Sequence, residues 1–392
     1  MGQKQSAQEI LEHLVGFATV SEDSNLKLVD FVEQYLSSWG VNSVRVPNED
    51  GIKAALYAHI GPDIPGGVVL SGHTDVVPVA GQDWDSDPFV LTQKNNRLYG
   101  RGSCDMKGFV ALALAAVPLA VAQHKAQNLT RPLQIALSYD EEVGCTGAPV
   151  MIDHMLANGM PQASTVIVGE PTNMQVVTGH KAGIGFQVHV QGFEVHSSLL
   201  PEGVSAILEG ARLINWANAQ NERLQATPPT PLAAAFYPPF TTLHVGKIQG
   251  GTAHNITAKD CYFDLSFRVV PDETPAEWEA KLRAEVKTLK AKMKAIHPDA
   301  AITLTQGFGV PGLRPEENGL AEQLARQLTG DNASHVVSYA TEAGQFQERG
   351  YSVVVCGPGD IAQAHQPNEF LEISQLRAGE TFMENLIKNL SV

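Results

Sequence analysis

Four short apolar runs of this chain each lead into residues that bind metals or carry protons, and this pattern constrains the fold more than any other. Val68-Val69-Leu70-Ser71-Gly72 runs into His73-Thr74-Asp75, and Leu133-Gln134-Ile135-Ala136-Leu137-Ser138-Tyr139 into Asp140-Glu141-Glu142. Thr165-Val166-Ile167-Val168-Gly169 runs into Glu170-Pro171-Thr172, and Tyr351-Ser352-Val353-Val354-Val355 into a glycine-rich loop that carries His365. Short β-branched runs between turn signals read as buried strands of an α/β sheet. Such sheets bind ligands at the carboxyl ends of their strands. Polar groups far apart in sequence are therefore expected to converge on one rim.

Apolar spacing predicts two helices within residues 6–40, stopped by Gly40, and further helices over 108–123 and 148–158. Alternating strands and helices up to about residue 179 imply a sheet with parallel strands, covered on both faces. The texture then changes. Gly185 to Val190, Leu243 to Val245, Cys261 to Val270 and Ile302 to Thr305 read as strands, with helices over 203–219 and 275–296. Five prolines within 228–239 mark an irregular segment. From about residue 309 the first texture returns, with a helix over 317–329 and the strand 351–355. The expected organisation is a discontinuous catalytic domain, 1–179 with 309–392, and an inserted smaller α+β domain, 180–308.

With 392 residues, 43% of them apolar, the chain can build two cores of ordinary size. Its net charge of −15 argues against a nucleic-acid or anionic-membrane partner, both of which need a basic face. The longest apolar stretch, Val110 to Ala122, is short for a bilayer span and contains Pro118. Four dispersed cysteines form no disulfide framework, and the polar start shows no signal peptide. A soluble protein in the reducing cytoplasm is expected.

Borderline divalent metals such as zinc take imidazole and carboxylate ligands, and one carboxylate can bridge two ions. His73, Asp105, Glu142, Glu170 and His365 then suffice for two ions. Asp105 is the natural bridge, in the glycine-rich turn Tyr99-Gly100-Arg101-Gly102-Ser103-Cys104-Asp105-Met106-Lys107-Gly108. Asp75, two residues after His73, is placed to hold the imidazole N–H with its carboxylate. The adjacent Glu141 and Glu142 can point apart, one toward metal and the other toward water as a base. Singly, each of these residues has an ordinary reading as solvated surface, core histidine or turn residue. The joint pattern points to a di-metal hydrolase.

These residues resemble a known family, the co-catalytic di-zinc amidohydrolases and exopeptidases that include aminoacylase, glutamate carboxypeptidase, succinyl-diaminopimelate desuccinylase and acetylornithine deacetylase. The resemblance rests on Gly72-His73-Thr74-Asp75-Val76-Val77-Pro78, on Tyr99 to Gly102 with Asp105 to Gly108, and on Asp140-Glu141-Glu142. It implies a zinc-exopeptidase-like sheet covered by helices, with an inserted α+β lid or dimerisation domain. His73, Asp105 and Glu170 are implied as ligands of one zinc, and Asp105, Glu142 and His365 as ligands of the other; cobalt would also suit them. Glu141 is implied as general base and Asp75 as the carboxylate supporting His73. His196 resembles a lid histidine that reaches a neighbouring subunit's site and stabilises an oxyanion, so a homodimer is implied. Asn255 and Arg268 resemble a pair that grips a substrate carboxylate.

Val79 to Trp84, Glu141 to Gly147, Gly169 to Thr172, Thr341 to Phe346 and Cys356 to Glu369 are similar to the acetylornithine-deacetylase branch. Two positions depart from its pattern: Asn368, where Asp is expected, and Val195, where Ala is usual. The implied reaction is removal of an acetyl group from N-acetyl-L-ornithine. The alternatives are a desuccinylase or broad N-acyl-amino-acid hydrolase of the same family, and a catalytically silent metal- or amino-acid-binding protein. A cationic substrate amine would need an acidic partner. Glu342, with Gly344 beside it, is the expected contact and Asp360 the second choice; alternatively, Glu342 caps a helix over 343–348.

Overall fold

A computed structural model describes residues 2–391. The chain divides into two compact units, the first comprising 1–179, 315–335 and 341–392, the second 180–314 and 336–340. The second unit thus runs past residue 308. Its last strand, Ala301–Val310, is longer than the apolar run Ile302 to Thr305, and Leu313 pairs with His180 in an isolated bridge.

The first unit is built on an eight-stranded sheet. Its order is Ser43–Pro47, Ala54–Ile60, Leu133–Ser138, Val68–His73, Thr165–Val168, Ser352–Val355, Val177–His180 and His335–Val337. The middle four strands are the four apolar runs that lead toward the candidate ligands. Val68–His73 pairs in parallel with both Leu133–Ser138 and Thr165–Val168, and Ser352–Val355 pairs in parallel with Thr165–Val168. Because all four point the same way, their carboxyl ends share one edge of the sheet. Three of them are buried along their whole length, as expected of strands covered on both faces. The flanking pairings are antiparallel, so the sheet is mixed rather than uniformly parallel.

Helices Ala7–Val15, Leu26–Ser38, Lys107–Lys125 and Ile373–Asn389 join one apolar core with these strands. The first begins at Ser6, which forms a capping box with Glu9. The second gives way to Gly40, at φ +78°. By length and composition Lys107–Lys125 is apolar enough to cross a membrane, being longer than Val110 to Ala122 alone. Most of it is buried within this core. It lies tight against the strand end before Glu170: a Cβ on Gly169 would sit 1.9 Å from the Phe109 ring. Only glycine permits that approach.

The second unit is a four-stranded antiparallel sheet in the order Thr242–Gly250, Asp260–Val269, Ala182–Gln191, Ala301–Val310. Strand Asp260–Val269 buries every second residue, so one sheet face carries the core. Helices Ala206–Ala226 and Pro275–Ile296 pack on that sheet. The latter starts with a Thr274–Glu277 capping box and Pro275, then buries Trp278, Leu282, Val286, Leu289 and Met293 along one stripe. The proline-rich segment is irregular apart from a short 3₁₀ turn at Ala233–Ala235.

Candidate metal centre

His73 is the last residue of its strand. Its Nδ1 donates to the Asp75 carbonyl at 2.9 Å, which frees the lone pair of Nε2 to face the cluster. Nε2 lies 3.1 Å from Asp105 Oδ1 and 3.9 Å from Glu170 Oε1. On the other side of Asp105, His365 Nε2 lies 3.3 Å from Oδ2 and 2.9 Å from Glu142 Oε2. Asp105 thus presents one oxygen to each histidine. Potential ligand atoms of His73, Asp105 and Glu142 fall within 4.8 Å of one another, and so do those of His73, Glu141 and Glu170.

Asp75, expected to support His73, meets it with both its main chain and its side chain. Its carboxylate stands 3.6 Å from His73 Nδ1, and the shorter contact is to its backbone carbonyl. The carboxylate also accepts the backbone N–H groups of Glu141, at 3.1 Å, and Glu142, at 3.2 Å, and the Ser21 hydroxyl at 2.7 Å. One residue therefore orients the imidazole with its main chain and the Glu141-Glu142 turn with its side chain. The turn needs this support because Asp140, at φ +56°, and Cys145, at φ +53°, are left-handed. Asp140 is also paired with Lys53 at 2.6 Å.

The Asp105 loop is held by residues that sequence reading passed over as ligands of nothing. Glu369 accepts the N–H groups of Cys104 at 2.9 Å and Asp105 at 3.1 Å through Oε1, and pairs with Arg101 at 2.7 Å through Oε2. Both side chains of that pair are only 1% exposed. Arg101 also bonds Gln82, whose amide donates to the His365 carbonyl at 2.8 Å. His365, at φ +63°, and Asn368, at φ +58°, are again left-handed, a conformation that asparagine tolerates. Asn368, the departure from Asp, accepts the Asp85 N–H at 2.8 Å. The signal for Gln82, Arg101 and Glu369 was their place in the family-like stretches.

Burial pushes the Glu141 carboxyl up to about 8 and the Glu142 carboxyl up to about 6, with neighbouring carboxylates adding to both. Burial, Asp105 and Glu141 also push Glu170 well up. Asp105 goes the other way: the two histidines outweigh its burial and hold it well below the usual range. Asp105 and Glu142 raise His365 to about 10. Burial pulls His73 down, but Asp105, Glu170 and Asp75 leave it well above its ordinary value. Carboxylates crowded this closely favour a shared cation. Glu170 Oε1 is buried without a hydrogen-bond partner, an acceptor aimed into the cluster. Two imidazole nitrogens and several carboxylate oxygens are the donor set of a borderline divalent cation.

Glu342, the expected contact for a cationic amine, does not face solvent. It is fully buried, and its oxygens accept the hydroxyls of Ser71 and Ser138, each at 2.6 Å. Nor does its side chain cap the helix Ala343–Glu348, although it sits at the N-cap position. Gly344 is buried inside that helix. Asp360 is engaged too, accepting from Ala362 N–H at 2.9 Å and Asn173 at 3.0 Å.

His196, Asn255 and Arg268 belong to the second unit. His196 and Ile256 form an isolated bridge, and Ser197 N–H donates to the Asn255 carbonyl at 2.9 Å, so the first two are chain neighbours in space. The His196 ring is exposed, and its Nδ1 accepts the Ser198 N–H at 3.3 Å. In the neutral ring Nε2 then carries the proton and can donate. Arg268 is exposed on strand Asp260–Val269, opposite Gly183 and Thr242.

Residues 69–389 match the sequence pattern of the family described as Peptidase family M20/M25/M40. The acetylornithine deacetylase of Myxococcus xanthus is 34% identical to this chain, covering 93% of it and 92% of its own length. That of Pasteurella multocida is 31% identical, covering 93% and 91%. Among solved structures, an M20 metallo-carboxypeptidase of Sulfolobus solfataricus superposes with a TM-score of 0.77 at 17% identity, over 98% of this chain and 99% of that one. A Staphylococcus aureus tripeptidase does so with 0.75 at 17% identity, over 99% and 98%. The likeness to these structures concerns the fold; the sequence match over most of the chain goes further, and by it the chain belongs to peptidase family M20/M25/M40, as a metal-dependent hydrolase.

Proposed function

We propose that this protein deacetylates N-acetyl-L-ornithine to ornithine and acetate, a step of arginine biosynthesis. The observation that carries the substrate is the shared name of the relatives that match nearly the whole chain. The observations that support the chemistry are the two groups His73, Asp105, Glu142 and His73, Glu141, Glu170, the contacts of His365 with Asp105 and Glu142, and the unpartnered Glu170 Oε1. In this reading His73, Asp105 and Glu170 hold one ion, Asp105, Glu142 and His365 the other, and zinc or cobalt fits both. Divalent ions there supply Lewis acidity, polarising the acetyl carbonyl and making water more acidic.

The protein's own groups do the rest. The Glu141 carboxylate takes a proton from the attacking water as its oxygen bonds to the acetyl carbon. In this reading the oxyanion is held by the Nε2–H of His196 of the neighbouring subunit. The C–N bond then breaks, and Glu141 delivers the proton to the departing amine, so that acetate and ornithine account for every atom. Asn255 and the planar fork of Arg268 grip the α-carboxylate. The second unit acts as lid and dimer contact in a cytoplasmic homodimer. A monomer mass by sedimentation at assay concentration would remove the dimer from this reading.

Steady-state kinetics on acetylornithine, succinyl-diaminopimelate and acetylmethionine, with added Zn²⁺ or Co²⁺, test the substrate. Acetylornithine is expected to show the highest kcat/KM. A preference for either other compound would replace this reading by a desuccinylase or a broad acyl-amino-acid hydrolase.

A further inference from the structure

Glu342 combines three properties that together call for a role. It is 0% exposed, its two oxygens accept from two neutral hydroxyls, and no lysine or arginine pairs with it among the described residues. An isolated buried carboxylate is expensive unless positive charge compensates it nearby.

The strand register shows where that compensation lies. Ser71 precedes His73 by two residues on one strand, so both side chains point to the same face. Ser138 is the register partner of His73 on the neighbouring parallel strand. The hydroxyls that hold Glu342 therefore flank the histidine, and the carboxylate lies under the ends of the two strands that carry His73 and lead to Glu141 and Glu142. The Ser138 carbonyl in turn accepts the Thr74 N–H at 3.0 Å and the Thr74 hydroxyl at 2.8 Å, binding these strand ends together. The ligand-type side chain set between these two hydroxyl positions is His73.

We propose that Glu342 is a positioning residue, a buried counter-charge beneath the metal centre that sets its affinity for divalent cations without touching substrate. The inference rests on the metal-centre reading above. With cations bound, the negative charge of Glu342 is compensated from above. Without them it adds one more like charge to an already crowded group of carboxylates.

Glu342→Gln keeps the shape and removes the charge. In the full-length protein, stripped of metal and titrated with Zn²⁺ against a chromophoric chelator, E342Q should bind about 10–100-fold more weakly than wild type, the usual cost of losing an outer partner. The metal-free variant should melt at a temperature no lower than metal-free wild type, because a buried like charge has gone. A purely structural role would lower metal-free stability. Unchanged Zn²⁺ affinity overturns the proposal, and so does weaker binding accompanied by a lowered metal-free Tm. Should E342Q not fold, the triple variant S71A/S138A/E342M replaces donors and acceptor together by apolar groups, a change close to neutral for folding, and is read the same way. Wild-type protein that takes up no Zn²⁺ would refute the metal centre itself, whereas tight wild-type binding matched by E342Q refutes only the role of Glu342.

Discussion

The two units place ionisable groups very differently in their interiors. In the first, His73, Asp75, Asp105, Glu170, Glu342 and Glu369 are each no more than 5% exposed. In the second, the buried acidic or basic side chains among the described residues are His180 and Lys181. Lys181 donates to the carbonyls of Pro238 at 2.7 Å and Phe240 at 2.8 Å, and burial brings its amine down to about 8. His180 donates to the Lys181 carbonyl at 2.9 Å and is held by burial at about 4. The rest of that interior is apolar, from Ile184 and Phe186 to Trp278 and Leu282. Buried charge costs stability. A unit that collects it at one edge of one sheet gives up stability for chemistry, whereas a unit that avoids it is organised by packing.

The largest expected effect tests whether the first unit's charge is chemical. Glu141→Gln should retain its metal and lose about 10²–10⁴-fold or more in kcat, as expected for removal of a general base. Metal analysis alongside kcat checks it, and a variant with full turnover would strip Glu141 of that role.

Next comes the scaffold under Asp105. Arg101→Met leaves Glu369 as an unpaired buried charge beside the Cys104 and Asp105 amides. Breaking such a pair costs about 3–5 kcal/mol. Urea unfolding should show that loss, with metal content falling too; a variant of unchanged stability would mean that solvent reaches Glu369.

In the second unit the acid sensitivity of His180 provides a contrast. Its folded-state value of about 4 lies below the ordinary 6.5. Above pH 6.5 both folded and unfolded states hold it neutral. As pH falls from 6.5 to 4 only the unfolded state gains the proton, so stability is lost, by at most about 3 kcal/mol at 1.36 kcal/mol per unit. Relative to wild type, His180→Leu should therefore gain stability steadily across that window, without change in metal affinity. A wild-type-minus-variant difference that is flat with pH would break the contrast.

The smallest effect concerns packing alone. Ile184→Val removes one methyl group from the second core, where Ile184 is 2% exposed. A loss of about 0.5–1.5 kcal/mol is expected, with kcat and metal content unchanged. A tenfold loss of metal would show that this core also shapes the metal centre.

Much of the fold was legible because the strongest sequence signals coincide with the most constrained strands. Val68–His73, Leu133–Ser138 and Thr165–Val168 are buried along their whole length and mostly apolar because both faces are covered. Ala54–Ile60 lies second from one edge of the sheet and is nearly as buried, yet its Ala-Ala-Leu-Tyr-Ala-His-Ile has neither a β-branched run nor clean alternation. In the second unit the strands outrun their apolar stretches: Thr242–Gly250 is largely exposed after Leu243, and backbone pairing rather than burial sustains it. The same limit applied at the metal centre. The ligand-type residues stood out by residue type and position at strand ends. Glu369 and Arg101, 268 residues apart, and Glu342 and Ser71, 271 apart, make bonds that no local pattern encodes.

The sequence by itself determined where imidazole and carboxylate side chains follow apolar runs, and that those four runs would be buried strands. It could do so because burial on both faces demands apolar runs, and because imidazole and carboxylate at strand ends have few other reasons to recur together. Only the tertiary structure decided how those residues are held. Parallel register put four strand ends on one edge. The Asp75 carbonyl approaches His73 more closely than its carboxylate does, that carboxylate supports the Glu141-Glu142 turn, and Glu342 lies beneath the cluster rather than facing solvent. These outcomes depend on hydrogen bonds between segments far apart in the chain. Whether a carboxylate meets water, metal or a serine hydroxyl is set by what the fold packs around it, not by its neighbours in sequence.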